Sequence, residues 1–81
     1  MRILKMVMKM ISYAPLWETM KSKNITTYTL ITKHNISKNT IHRLKHNCGI
    51  STILLNDLCT ILDCRVEDVL VYIPDEKQHV Q

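Results

Sequence analysis

The sequence predicts an all-α domain of five short helices, with a short two-stranded β ribbon contributed by the chain ends. Three observations point there. The 81 residues include one Gly, two Pro and no Phe, which leaves an all-β fold without its usual turn chemistry. Between Leu16 and Leu70 apolar residues recur at helical three- and four-residue intervals, separated by capping residues. Strand-like patterning is confined to the two ends. At this length one core is the expectation, and two separately buried cores are not.

The opening MRILKMVMKMI alternates, with Leu4, Met6, Met8 and Met10 on one side and Lys5 and Lys9 on the other, so part of residues 3–12 reads as a strand with one buried face. The same lysines interrupt any apolar run, so neither export nor membrane insertion is expected. We divide the chain into an N-terminal extension, 1–10, a helical domain, 11–74, and a polar C-terminal tail, 75–81. The natural start could also be Met10, with residues 1–9 loose.

Pro15 suits the first turn of helix one, where Leu16, Trp17 and Met20 follow at helical spacing until Asn24. Trp17 reads as a core anchor rather than a platform for stacking bases, because nothing basic interleaves with it. Thr26 caps helix two, whose inward residues are Leu30 and Ile31, and Asn35 takes the left-handed conformation that reverses the chain. Ser37 caps helix three, 37–47, with Ile41 and Leu44 inward and Asn47-Cys48-Gly49 closing it. Ser51 caps helix four, which carries a broad apolar stripe of Leu54, Leu55, Leu58, Cys59, Ile61 and Leu62. A short fifth helix is expected over Val66, Val69 and Leu70, before the β-branched Val71-Tyr72-Ile73 pairs antiparallel with the N-terminal strand.

Charge is distributed unevenly. Between Glu18 and Asp57 there is no acid, whereas Lys21, Lys23, Lys33, Lys38, Arg43 and Lys45 all fall in that window. From Asp57 onward six acids face only Arg65 and Lys77. A one-sign middle suits a polyanionic partner, although a solvated basic face with no partner has the same composition. Three cysteines without CxxC spacing read as reduced thiols of a cytoplasmic protein. His42 and His46 are the one histidine pair at i, i+4 and have no third ligand nearby, so no metal or other cofactor is expected.

Leu30 and Ile41 lie eleven residues apart across Asn35, with Ile36 just after the reversal and Leu44 beyond. That spacing brings two short helices together at a wide angle, the helix-turn-helix arrangement. The second helix of such a pair projects outward, so a face of cations and amides can enter a DNA major groove where acids would be repelled. From ISYAPLW through TTYTLITKHNISKNTIHRL to LNDLCTILDCRVEDVLVYIP, about residues 11–74, the chain resembles the Cro/phage-repressor type of helix-turn-helix regulator, also called the xenobiotic-response-element-like family. The resemblance implies a lambda-repressor-like, DNA-binding fold and a role in transcription regulation.

It also implies roles by position. Thr27, Tyr28 and Ser37 stand where the family contacts phosphate; Lys38 and Asn39 lead into the groove; His42 and Arg43 face bases or the flanking backbone one turn later. Ile31 stands where the family usually has Ala, Thr27 replaces a common Gln, and Asn35 a usual Gly. The chemistry of the side chains agrees, since Asn39 can bond adenine in bidentate fashion and Lys38 or Arg43 can donate to guanine. Lys21, Lys23, Lys33 and Lys45 suit the sequence-blind phosphate term. Plain solvated helix-start residues remain the alternative for Lys38 and Asn39.

An enzyme is not expected, for want of paired carboxylates, a Ser-His-Asp order or a Gly-rich phosphate loop. The expected partner is double-stranded DNA, bound by a homodimer, since one small module alone binds too weakly for a specific site. The open ribbon edge is one route to that homodimer. No small-molecule ligand and no membrane are expected, though His42 could make affinity respond to pH near neutrality. The competing reading is an antitoxin or adaptor whose basic helix faces an acidic protein surface.

Overall fold

The computed structural model describes residues 10–74. In chain order these form β1 (Met10–Ser12), α1 (Ala14–Ser22), α2 (Thr27–His34), α3 (Lys38–Lys45), α4 (Thr52–Leu62), a single 3-10 turn (Val66–Asp68) and β2 (Val71–Ile73). Residues 3–9 of the expected N-terminal strand segment and the polar tail over 75–81 lie outside the described residues.

Three of the helices start on the hydroxyl predicted for them. Thr26, Ser37 and Ser51 each have extended backbone, and their side chains accept from the backbone N–H of Thr29, Thr40 and Leu54. Each satisfies one of the donors a helix start leaves unpaired. The helix ends share a second device. Asn24, Asn35, Asn47 and Asp63 all have φ between 51° and 59°, while the lone Gly49 does not have positive φ. Asn and Asp are the non-glycine residues most tolerant of that region. After α1, α3 and α4 the following residue bonds back five positions: Ile25 N–H to Met20 O, Cys48 N–H to Arg43 O and Cys64 N–H to Cys59 O, at 2.9–3.0 Å. This 6→1 closure satisfies helix-end carbonyls and faces each of those residue pairs toward one another.

The core contains Tyr13, Leu16, Met20, Leu30, Ile36, Ile41, Leu44, Leu58, Leu62 and Val69, all of them buried. Ile31 and Trp17 pack against it but stay half-buried, so Trp17 is a core-edge residue. The broad stripe expected on α4 is narrower than its sequence suggests. Leu58 and Leu62, four apart on one line, are fully enclosed, whereas Leu54, Leu55, Cys59 and Ile61 are half-buried at its flanks. A domain this small has too little interior to cover both flanks of its last helix.

The ribbon is antiparallel, with Met10 opposite Ile73, Ile11 opposite Tyr72 and Ser12 opposite Val71. The fifth helix is corrected: among the described residues there are four α-helices, and Val66–Asp68 is one 3-10 turn. Asp68 closes that turn on itself, its carboxylate accepting from Arg65 N–H at 3.0 Å while its own N–H donates to Arg65 O at 2.9 Å. β2 follows at Val71, so the ribbon claims the chain before a second helical turn can be added. Val69, fully buried, anchors the turn in the core, and Thr19 Oγ1 donates to Asp68 O at 2.8 Å to tie it to α1.

Candidate nucleic-acid interface

α2 and α3 enclose the left-handed Asn35, with Leu30, Ile36, Ile41 and Leu44 buried between them and the body. With about 100° per helical residue, Ile41 and Leu44 set the inward direction of α3. Asn39 and the C-cap His46 then lie directly opposite, flanked by His42 and Arg43, while Lys38 and Lys45 stand at the side nearer Ile41. All six are exposed. No acid lies on this helix or in the 38 residues from Thr19 to Asn56. Among the described residues the single ion pair is Arg65–Glu67, on the far side of α4 in sequence, so the cations of the basic window have no acidic partner there.

Several predicted residues are less free than their exposure implies. Arg43 Nη2 donates to the Gly49 carbonyl, so its guanidinium braces the α3–α4 loop and offers a ligand only its remaining N–H groups. Ser37 Oγ accepts from Thr40 N–H at 3.0 Å and donates to Thr40 Oγ1 at 2.9 Å. A phosphate accepts and does not donate, so it can bond that hydroxyl only in place of Thr40. Tyr28, 73% exposed at the start of α2, presents its hydroxyl to solvent, and Thr27 beside it is half-buried. Lys33 and Lys45 fall in the last turns of α2 and α3, and Lys21 in that of α1. There each also offsets the negative end of a helix dipole.

Two features lie outside the predicted site residues, although His46 is an outward position of the predicted helix as well. His46 belongs to the outward face: its ring lies 4.3 Å from that of His42, tilted by 47°. The i, i+4 spacing was the available signal. The second is a clamp on the end of α3. Tyr13, 2% exposed, donates its N–H to Asn47 Oδ1 at 3.1 Å and its hydroxyl to Cys48 O at 2.7 Å. Asn47 Nδ2 also reaches Met10 Sδ at 3.9 Å. The residues after α3 are thereby fixed to the junction of β1 and α1, and no local sequence signal marks a contact 34 residues long. Burial pushes the Tyr13 hydroxyl above the ordinary phenol range, Cys48 adds to the effect and Arg43 opposes it.

A family model described as the Cro/C1-type HTH DNA-binding domain matches residues 15–75. That span holds α1 from Pro15 onward, the other three helices and the ribbon's second strand. The chain belongs to the Cro/C1-type helix-turn-helix family. Among solved structures, this Cro/C1-type chain resembles the transcriptional regulator VanUg in its crystal form II, with a TM-score of 0.74 and 24% identity over 91% of this chain and 97% of that one. At that identity the likeness speaks for the fold. No curated protein matches the chain in sequence. Among the described residues no helix is long and apolar enough to cross a membrane, and no three His, Cys, Asp or Glu side chains gather as metal ligands.

Proposed function

We propose that this Cro/C1-type protein is a transcriptional regulator that binds double-stranded DNA sequence-specifically, with α3 in the major groove. The observation that carries the reading is the outward face of α3, where Asn39, His42, Arg43 and His46 are exposed above a buried Ile41–Leu44 seam and no acid stands near in sequence. Asn39 and Lys38 are assigned to base edges, with His42 and Arg43 reading bases or flanking backbone a turn later. Thr27, Tyr28, Ser37, Lys33, Lys45 and Lys21 are assigned to phosphates. Ser37 must release Thr40 Oγ1 to donate, so its phosphate bond forms by exchange and adds little net affinity.

The protein acts as a homodimer on a two-fold site with half-sites about one helical turn, roughly 34 Å, apart. On the ribbon Met10, Val71 and Ile73 share one face and Ile11 and Tyr72 the other, each 37–55% exposed, and a second copy pairing at the ribbon edge would cover part of this apolar surface. Gel filtration of the full chain and of a form lacking residues 1–9 tests the N-terminal contribution; an unchanged elution mass removes that segment from the interface.

The DNA reading is tested by titrating random duplex DNA at low and moderate salt. Each neutralised phosphate contributes a slope of about −0.9 in log K against log salt, so several such contacts make the affinity fall steeply. Binding that ignores salt would reject DNA and favour the adaptor reading. Selection from a random duplex library then reads the specific term, for which a two-fold symmetric consensus is the expected result.

A further inference from the structure

The two thiols Cys59 and Cys64 have no part in the DNA-facing surface, yet the fold brings them together. They are the two ends of the 6→1 closure that terminates α4: Asp63 turns left-handed with φ 51°, and Cys64 N–H bonds Cys59 O at 3.0 Å. Standard bond lengths across one such bond keep the two Cα atoms within about 7 Å, the outer limit for a disulfide. The residues at these two positions normally meet through an apolar side-chain contact. At the end of α1 the same closure pairs Met20 with Ile25, and in α4 it pairs two sulfurs. Both residues are half-buried.

We propose that Cys59 and Cys64 form an oxidation site, in which an external disulfide such as oxidised glutathione converts the pair to an intrachain disulfide. The Cys59 thiolate attacks one sulfur of the oxidant and releases one thiolate, leaving a mixed disulfide. The Cys64 thiolate then attacks Cys59 Sγ and releases the second. Two protein thiols lose two protons and two electrons, and one external disulfide becomes two thiols. The surroundings set the pace. Burial, then the neighbouring Cys59 and Asp68, push the Cys64 thiol up and Lys23 opposes them, so closure speeds up as pH rises. The bond would staple the end of α4 next to the turn that Thr19 holds against α1. Cys48, exposed and at the far end of α4's approach loop, takes no part.

The test uses the full chain, oxidised by glutathione disulfide at pH 7 and pH 9, labelled with iodoacetamide without reduction, digested and read by mass spectrometry. The expected product is one peptide holding both residues, unlabelled and lighter by two hydrogens, formed faster at pH 9, with Cys48 labelled or glutathionylated. A Cys48→Ser chain should form it equally well, and after reduction both thiols should take the label. Label or glutathione on Cys59 and Cys64 in the oxidised sample would overturn the proposal. So would covalent dimers formed through either residue. Because the readout is chemical, neither result depends on whether the protein binds DNA.

Discussion

Replacing Tyr13 with Phe removes one oxygen from the clamp that fixes the end of α3 and leaves the rest in place. The ring stays in the core, and the Tyr13 N–H still reaches Asn47 Oδ1. The 2.7 Å bond to Cys48 O is lost. A net hydrogen bond contributes roughly 0.5–1.5 kcal/mol, and a carbonyl left dry costs about 1–3. Cys48 is exposed, so water can replace the hydroxyl, which places the cost near 1 kcal/mol. For a domain of this size that lowers the thermal midpoint by about 4–8 °C. A pH series adds a second readout. With the hydroxyl pushed upward in the folded state, its contribution is whole below the ordinary phenol pKa of 10.0 and is lost as pH rises through the raised value. The gap between wild type and Tyr13→Phe should therefore shrink on the alkaline side. DNA affinity should weaken several-fold with an unchanged salt slope, because no cation has been removed. An unaltered midpoint, or an affinity loss that changes the salt slope, would refute the clamp.

Other substitutions separate the remaining assignments. Asn39→Ala should relax preference at one base position at a cost of about 1–3 kcal/mol, whereas Lys45→Ala should weaken all duplexes alike and reduce the salt slope by about 1, both read by competition binding. Asn35→Ala forces a β-carbon into the left-handed turn at φ 58° without the local hydrogen bonding of Asn and should cost about 1 kcal/mol in urea unfolding. Asn35→Gly should lose nothing, and equal losses in both would mean that the Asn side chain matters for another reason. Leu58→Ala, at a position with 0% exposure, should cost roughly 2–5 kcal/mol. Ile53→Ala, five residues earlier and 73% exposed, should stay within about 0.5 kcal/mol.

These expectations differ in how far along the chain their causes lie. Thr26, Ser37 and Ser51 could be assigned as caps because each bonds a backbone N–H three residues on. Asn35 could be assigned as the reversal for a similar reason, since its preference for positive φ is its own. The outward face of α3 followed from Ile41 and Leu44 alone, because helical geometry fixes the opposite side once the buried side is known. The same geometry turns His46 outward, although it was not among the predicted site residues and serves as the C-cap just past Lys45.

The sequence by itself determined where helices start and stop, which stripe of each turns inward, and where positive charge goes without acids. The first two are properties of residues within about one turn of each other, and the third is read directly from the composition of the window. Only the tertiary structure decided that Tyr13 clamps Asn47 and Cys48, that Arg43 folds back on the Gly49 carbonyl, that residues 66–68 stop at one 3-10 turn, and that four of the six residues of the α4 stripe stay half-buried. Apart from the exposed Arg43–Gly49 contact, six residues long, those outcomes depend on which distant groups share a small interior, and such partners leave no periodic trace along the chain.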